Sequence, residues 1–366
     1  MKIFIIDWNN MTPQYTFPLI HSMQRLNIFF ITNMKPIDNT LTKNYDINII
    51  NSFISLNPSF FLFNKLLKPL ILFFNYVLLL NQIVKIRPKI IHYNWTSIPF
   101  IDLMFIKIFK YQKLKIILTQ HNYFQHSKNQ LRFGEKLLFK NVDQIICLSK
   151  YVKNQFNKTF HKKISIIPHR NCYENLLKKK NIIKNNNVNL LLIGNIKKYK
   201  GIELMIDVMQ YLKSNKVKIH LNILGPGNQL YINRINKKIT KNDLNDIITL
   251  KNNFFSFNSF CDYINNCDIG LLPYRRASQS GIPYLYCYYN KPMIITNVGG
   301  LSEQIDTSFC NISEYDVIKF SNNIINMIKK IKNKKINQSS FENFLINNAW
   351  NKTKNEYLAE YKKYEN

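Results

Sequence analysis

A chain of 366 residues with 46% hydrophobic content can bury more than one core, which excludes a disordered or collagen-like polypeptide and predicts two domains. Its six cysteines are scattered, with no CxxC pair and no histidine at metal spacing; this excludes a disulfide framework and predicts buried free thiols in a reducing cytosol. The formal charge of +30 is uneven, with 27 Lys/Arg against 7 Asp/Glu in residues 1–190 and 24 against 14 in residues 191–366. That balance suits an anionic partner, either nucleic acid or a membrane surface. A chain-wide excess of Asn, Lys and Ile gives the same charge by composition alone.

The first half reads as alternating strands and helices. Ile3 to Ile6 is an apolar run of strand length, too short for the core of a secretory signal. The turn after it, Asp7 to Pro13, has none of the glycines of a dinucleotide fingerprint, so a dinucleotide fold is not expected there. Leu19, Met23 and Leu26 have helical spacing, and residues 28–32 form the next strand. Residues 60–86 are the most apolar stretch, but Lys65, Lys68, Pro69, Asn75 and Asn81 interrupt it. No clean run reaches the ~20 residues that span a bilayer. A helix packed on the sheet is the expectation, with a partly membrane-facing helix as the alternative.

Residues 87–95 and 115–122 are two similar strands, each with a histidine, His92 and His121, at or near its carboxyl end. Open α/β sheets bind ligands at that edge, which makes His121 and Asn122 site candidates; His92 reads as a hydrogen-bonded structural residue. His126 follows His121 at a spacing that could suit a metal, but no acidic residue lies nearby before Glu135, and no metal site is expected. Residues 143–149 and 164–168 are further strands, with Ser149 capping a helix from about Tyr151. The Lys/Asn-rich stretch 171–187 reads as a linker.

The second half restarts the rhythm, with strands at 188–193, 218–224, 247–250, 268–273 and 293–295. Helices are expected at 202–212, at 257–266, between the turn at Gln279 and Lys291-Pro292, and over 341–364. Two turns stand out. Gly194 to Gly201 closes the first strand and carries Asn195, Lys197 and Lys200. Ser278-Gln279-Ser280-Gly281 opens a helix some eighty residues later. A glycine at a strand end allows close backbone approach, lysine supplies a compact charge, and a helix-opening turn offers N–H groups. The pair reads as the two halves of a diphosphate site.

These segments resemble family 4 glycosyltransferases. Leu192 to Gly201 is similar to that family's glycine-to-Lys-Gly segment, and Leu271 to Tyr274, Gln279-Ser280-Gly281, Lys291-Pro292 and Val298 to Glu303 to its donor segment. Thr119 to Asn122 and Ile166 to His169 resemble strand ends of its first domain. The resemblance implies a GT-B fold: α/β, two Rossmann-like doubly wound domains facing across a cleft. It implies a nucleotide-diphosphate sugar as donor, a glycan or lipid-linked acceptor, retention at the anomeric carbon, and no metal or cofactor. His121 would contact the donor sugar as the catalytic-site residue. Gly194, Asn195, Lys197, Lys200, Gln279, Ser280 and Gly281 would hold the donor diphosphate, and Asn9, Asn122, Ser278 and Tyr286 are candidates for further donor or acceptor contacts.

One departure is visible. Many members carry two glutamates eight positions apart around the glycine, the second binding the nucleotide ribose; Ser278 and Tyr286 stand at those positions here. A nucleotide-sugar-binding pseudoenzyme is therefore the alternative, and a basic nucleic-acid-binding protein a remote one that no recognisable RNA-binding motif supports. The missing carboxylates also disfavour an epimerase. The expected division is 1–170 for the acceptor domain, 171–187 for the linker, 188–345 for the donor domain, and 346–366 for a helix packing back toward the first domain. The expected setting is the cytoplasm, peripheral to the inner membrane face, in surface polysaccharide or glycoconjugate synthesis.

Overall fold

The computed structural model describes residues 1–33, 45–55, 61–124, 130–171, 173 and 187–365. The chain forms two compact units. One is Met1–Cys172 with Trp350–Asn366, and the other is Tyr173–Ala349. The expected linker, 171–187, lies almost wholly outside the described residues, as does His126.

The first unit is built on seven parallel strands: β1 (Lys2–Ile6), β2 (Asn27–Ile31), β3 (Asn48–Ile50), β4 (Ile90–Tyr93), β5 (Lys115–Gln120), β6 (Gln144–Cys147) and β7 (Ile164–Ile166). Their order is β3-β2-β1-β4-β5-β6-β7. Helices α1 (Pro13–Ser22), α2 (Phe61–Ile86), α3 (Pro99–Tyr111), α4 (Glu135–Asn141) and α5 (Lys150–Asn154) connect them. Central strands of a parallel sheet are covered on both faces, which is why β4 and β6 are buried at every position, including His92 and Gln144. On one face Phe4, Ile6, Ile91, Tyr93, Ile116 and Leu118 pack with Leu72, Tyr76 and Leu79 of α2 and Phe105 and Phe109 of α3.

The second unit repeats the plan with β8 (Val188–Ile193), β9 (Ile219–Leu224), β10 (Ile248–Lys251), β11 (Ile269–Leu272), β12 (Met293–Thr296) and β13 (Cys310–Ser313). The order is β10-β9-β8-β11-β12-β13, again all parallel. Its helices are α6 (Ile202–Ser214), α7 (Gln229–Lys241), α8 (Phe257–Asn266), α9 (Ile282–Tyr288), α10 (Val317–Lys332) and α11 (Gln338–Asn347). Strand order reverses beside the first strand of each sheet, between β1 and β4 and between β8 and β11. Crevices that bind ligands open at such reversals, outside the carboxyl ends.

Several elements differ from expectation. The first helix starts at Pro13 and ends at Ser22, because proline fits the first helical turn, where its missing N–H costs nothing. Helices α3, α4, α7 and α10 and strands β3 and β13 come in addition. The single helix expected over 341–364 is two helices broken at Asn348-Ala349. The second, α12 (Trp350–Lys362), joins the first unit and packs against α1.

Candidate functional site

In the second unit, three glycines at positive φ bring the ends of β8, β9 and β11 together: Gly194 (φ 106°), Gly225 (φ 144°) and Gly201 (φ 74°). A Cβ on Gly225 would stand 2.3 Å from the carbonyl oxygen of Gly194, and one on Gly201 would stand 1.7 Å from that of Pro273. Glycine at 201 therefore lets the start of α6 close onto the end of β11. That closure sets Lys200 against Tyr274. The Lys200 ammonium donates to Tyr274 Oη at 2.5 Å, lies 3.9 Å from the ring centroid, and is 8% exposed. Burial lowers its pKa to about 8. Gly194 is close by, since a Cβ there would lie 3.8 Å from Lys200 Nζ.

The second turn reaches the same place. The Ser280 side chain faces the Tyr274 hydroxyl and eases the rise that burial gives its pKa, and Thr296 Oγ1 donates to the Tyr274 carbonyl at 2.6 Å. Lys200 and Ser280 thus meet on one tyrosine. The idea of a free N–H at Ser280 needs correction: that group donates to Gln304 Oε1 at 2.8 Å, and Gln304 Nε2 donates back to the Ser280 carbonyl. Gly281 sits at φ −77°, an ordinary right-handed conformation, as the N-cap of α9. Gln279 is half-buried with its Oε1 unpartnered, Ser278 is buried, and Asn195 and Lys197 are exposed on the β8 turn.

Tyr286 is a second correction. It is fully buried, its ring packs where a Gly270 side chain would stand, and its hydroxyl donates to the Leu191 carbonyl at 2.7 Å. It is a core residue of the sheet rather than a donor contact. In the sequence Tyr274 stands only as the end of a resembling segment, with no role, and Gln304 and the exposed Arg275, whose backbone N–H donates to the Tyr199 carbonyl at 2.7 Å, are passed over. Only Tyr274 left a signal, through its place directly after a strand.

In the first unit the strand ends carry large side chains. His121 stacks on Trp95 with centroids 4.0 Å apart, and its Nε2 lies 3.4 Å from Asn94 Oδ1. Burial, then the neighbouring His169, holds its pKa well below the usual value, so the ring is neutral. A cavity of about 150 Å³ opens beside it, lined by Trp95, Thr119, His121, Asn122, Arg132 and Glu135 among others. Arg132 is held by Glu135 at 2.9 Å and by the Thr96 carbonyl at 3.1 Å and the Thr96 hydroxyl. Asn9 donates to Ser97 Oγ at 3.3 Å at the end of β1. His92 is held on both ring nitrogens, by Tyr361 Oη and Thr119 Oγ1, each at 2.7 Å. The structure thus collects His121 and Asn122 in one unit, and Gly194, Lys200 and Ser280 in the other.

Two doubly wound parallel sheets of this kind make the fold GT-B, and both units match glycosyltransferase families. Residues 44–169 match the family described as Glycosyltransferase Family 4, and residues 187–330 the one described as Glycosyl transferases group 1. Each unit is in this sense similar to a glycosyltransferase family, and neither match spans half of the chain. A curated relative, an uncharacterized glycosyltransferase of Methanocaldococcus jannaschii, is 28% identical over 173 residues, 47% of this chain and 45% of that protein. The match thus spans about half the length of that relative.

Among solved structures, a glycosyltransferase from Rickettsia africae superposes with a TM-score of 0.73 at 16% identity, covering 99% of this chain and 97% of that one. Sucrose-phosphate synthase from Thermosynechococcus elongatus gives 0.74 at 14%, covering 99% and 98%. HepE from Anabaena, in complex with UDP-glucose, gives 0.72 at 12%, covering 98% and 100%. At such identities the likeness shows the fold.

Proposed function

We propose that the chain transfers a hexosyl group from a nucleoside-diphosphate sugar to a glycan or lipid-linked acceptor, with retention at the anomeric carbon. The observation that carries this reading is the meeting of Lys200 and Ser280 on Tyr274 at the β8/β11 reversal. In the reaction the bond from the anomeric carbon to the phosphate oxygen breaks, and its electron pair leaves with the nucleoside diphosphate. The acceptor oxygen bonds to the anomeric carbon, and its proton passes to the leaving phosphate. The Lys200 cation, backed by Lys197, stabilises the charge that develops on the leaving group. Neutral His121 and Asn122 offer hydrogen bonds to sugar hydroxyls without adding charge. The reading calls on no metal or cofactor. It suits the assembly of surface polysaccharide or glycoconjugates. Binding of UDP and UDP-glucose by the Anabaena neighbour supports a nucleotide-sugar donor.

Thermal-shift titration against a panel of nucleotide sugars tests it, because a ligand bound only by the folded state raises Tm. One donor is expected to raise Tm in the native protein and to do so far less in Lys200→Ala. NMR of the product made from that donor is expected to show retained configuration. A panel in which nothing binds overturns the reading.

A further inference from the structure

Helix α2 poses a question that the transfer reaction does not answer. Its segment Leu67–Ile86 is long and apolar enough to cross a membrane, yet most of it is not buried. The inner stripe is Leu72, Asn75, Tyr76, Leu79 and Ile83, recurring at three- and four-residue steps. The outer face carries Leu70, Phe74, Val77 and Val84, at 57%, 54%, 41% and 66% exposure. The apolar exposure continues onto the neighbouring helix and beyond: Phe100 and Met104 of α3, Phe133 just before α4, and Leu137 within it. Phe100 and Phe133 contact each other at 5.6 Å between centroids. Single exposed apolar residues are normal, but an expanse across three helices marks an interaction surface.

Charge identifies the partner. Helix α2 contains no acidic residue, and the single acids of α3 and α4, Asp102 and Glu135, are both buried. The charged side chains that the described residues of these helices expose are all lysine, Lys85, Lys107, Lys110, Lys136 and Lys140, with Asn81 an exposed amide. Lys110 is partnered by Asp143 at 3.2 Å. A protein partner would bring mixed charge, whereas an apolar face whose exposed charges are all lysine matches anionic headgroups over acyl chains.

The inner stripe excludes a spanning role. Asn75 exchanges two hydrogen bonds with the Ile54 backbone, at 2.8 and 3.0 Å, and Tyr76 Oη donates to Asp102 Oδ1 at 2.6 Å. Crossing the bilayer would break these bonds and strip the sheet of its cover, so the helix lies in the surface. We propose that the outer face of α2, α3 and α4 docks the first unit flat on an anionic lipid bilayer. The cavity shares an edge with this face, since Arg132 lines it and the next residue, Phe133, is 82% exposed. Docking therefore places the cavity at headgroup level, where a lipid-linked acceptor would present its polar end. That last step rests on the transferase reading; the docking does not.

Sedimentation of the full chain with vesicles tests the docking. Binding is expected to mixed phosphatidylglycerol–phosphatidylcholine vesicles at low ionic strength, and to weaken at high ionic strength. Replacing Lys107, Lys136 and Lys140 by Gln is expected to lower the partition coefficient by roughly a hundredfold. Phe74→Ser with Phe133→Ser is expected to lower it roughly tenfold or more. All these side chains are exposed, so unchanged circular dichroism and Tm are expected and would confirm folding. Lys200→Ala is expected to bind vesicles as the native protein does, which separates failure of docking from failure of the donor site. Absence of vesicle binding, equal binding to neutral vesicles, or a dimer in light scattering that the serine pair dissolves would each overturn the proposal.

Discussion

The two units share one strand order but end their strands differently. At the β8/β11 reversal the chain places glycines, so backbone approaches backbone and one buried lysine stands on a tyrosine. At the β1/β4 reversal no glycine occurs in the turns. There the ends of β1 and β4 and the turn after β5 deliver Asp7, Trp8, Asn94, Trp95 and His121 instead. Small residues with a cation suit phosphate oxygens; stacked rings and amides suit a polar, uncharged ligand. The same topology therefore holds different chemistry according to how much side chain stands at its strand ends.

The contrast can be broken most forcefully at Gly201. Gly201→Ala would put a methyl 1.7 Å from a carbonyl oxygen at φ 74°, and is expected to cost about 3 kcal/mol or more in urea unfolding, with donor binding lost. A stable variant with normal donor affinity would show that the close approach is incidental. Next comes the lysine itself: Lys200→Ala is expected to weaken nucleoside diphosphate binding by about ten- to a hundredfold in calorimetry, the range of a hydrogen bond to a charged group. The native affinity is expected to fall as pH rises through about 8, because the free lysine is a cation only below that value, with a limit of about tenfold per unit. The variant should lose that slope.

The first unit responds on the acid side. Tyr361→Phe leaves buried His92 without one partner and is expected to cost about 1–3 kcal/mol, measured by denaturant unfolding at neutral pH. Burial lowers the pKa of His92 to about 3 and of His169 to about 4, so the folded state keeps them neutral where the unfolded chain protonates them. Each contributes stability that is present above about 6.5 and lost as pH falls toward those values. Asp7 and Asp102 act oppositely: burial raises both to about 7, so their contribution grows as pH falls from there toward 3.8. The two pairs nearly offset each other in the native protein, so urea midpoints are expected to change little between pH 6.5 and 4 there and to fall in Asp7→Asn with Asp102→Asn, which leaves only the histidine contribution. The smallest effect is expected at Tyr286→Phe, about 1 kcal/mol of stability with donor affinity unchanged within about twofold. A large loss of affinity there would return Tyr286 to the ligand.

Much of the fold was legible because parallel strands leave a plain trace. Ile3–Ile6, Ile116–Leu118 and Leu190–Ile193 are apolar runs bounded by polar turns. Helix α10 was less legible, since Lys and Asn surround its buried Phe320, Ile324 and Met327 in a chain rich in both throughout. In the site, Gly194 and Lys200 stood out as residue types. Their meeting with Ser280 did not, because it runs through the side chain of Tyr274, and Gln304 captures the Ser280 N–H from a loop twenty-four positions away. The direction of Tyr286 was equally hidden, since a tyrosine in a short helix suits core and ligand alike. For α2, an apolar sequence nearly all round gives no facing; Asn75 and Tyr76 set it through partners far along the chain.

The return of α12 sets an order of events during synthesis. Tyr361 holds His92, Tyr357 meets Tyr15 at 2.5 Å, and the Arg170 guanidinium pairs with Glu356 at 2.7 Å. Residues 1–172 emerge first from the ribosome, yet their sheet waits for segment 350–362 to cover these polar groups. The second unit is continuous and can close its core while the first is still unfinished. The half that leads in translation is thus the half that finishes last. Until then His92 and Tyr15 lack the hydroxyl partners that Tyr361 and Tyr357 supply.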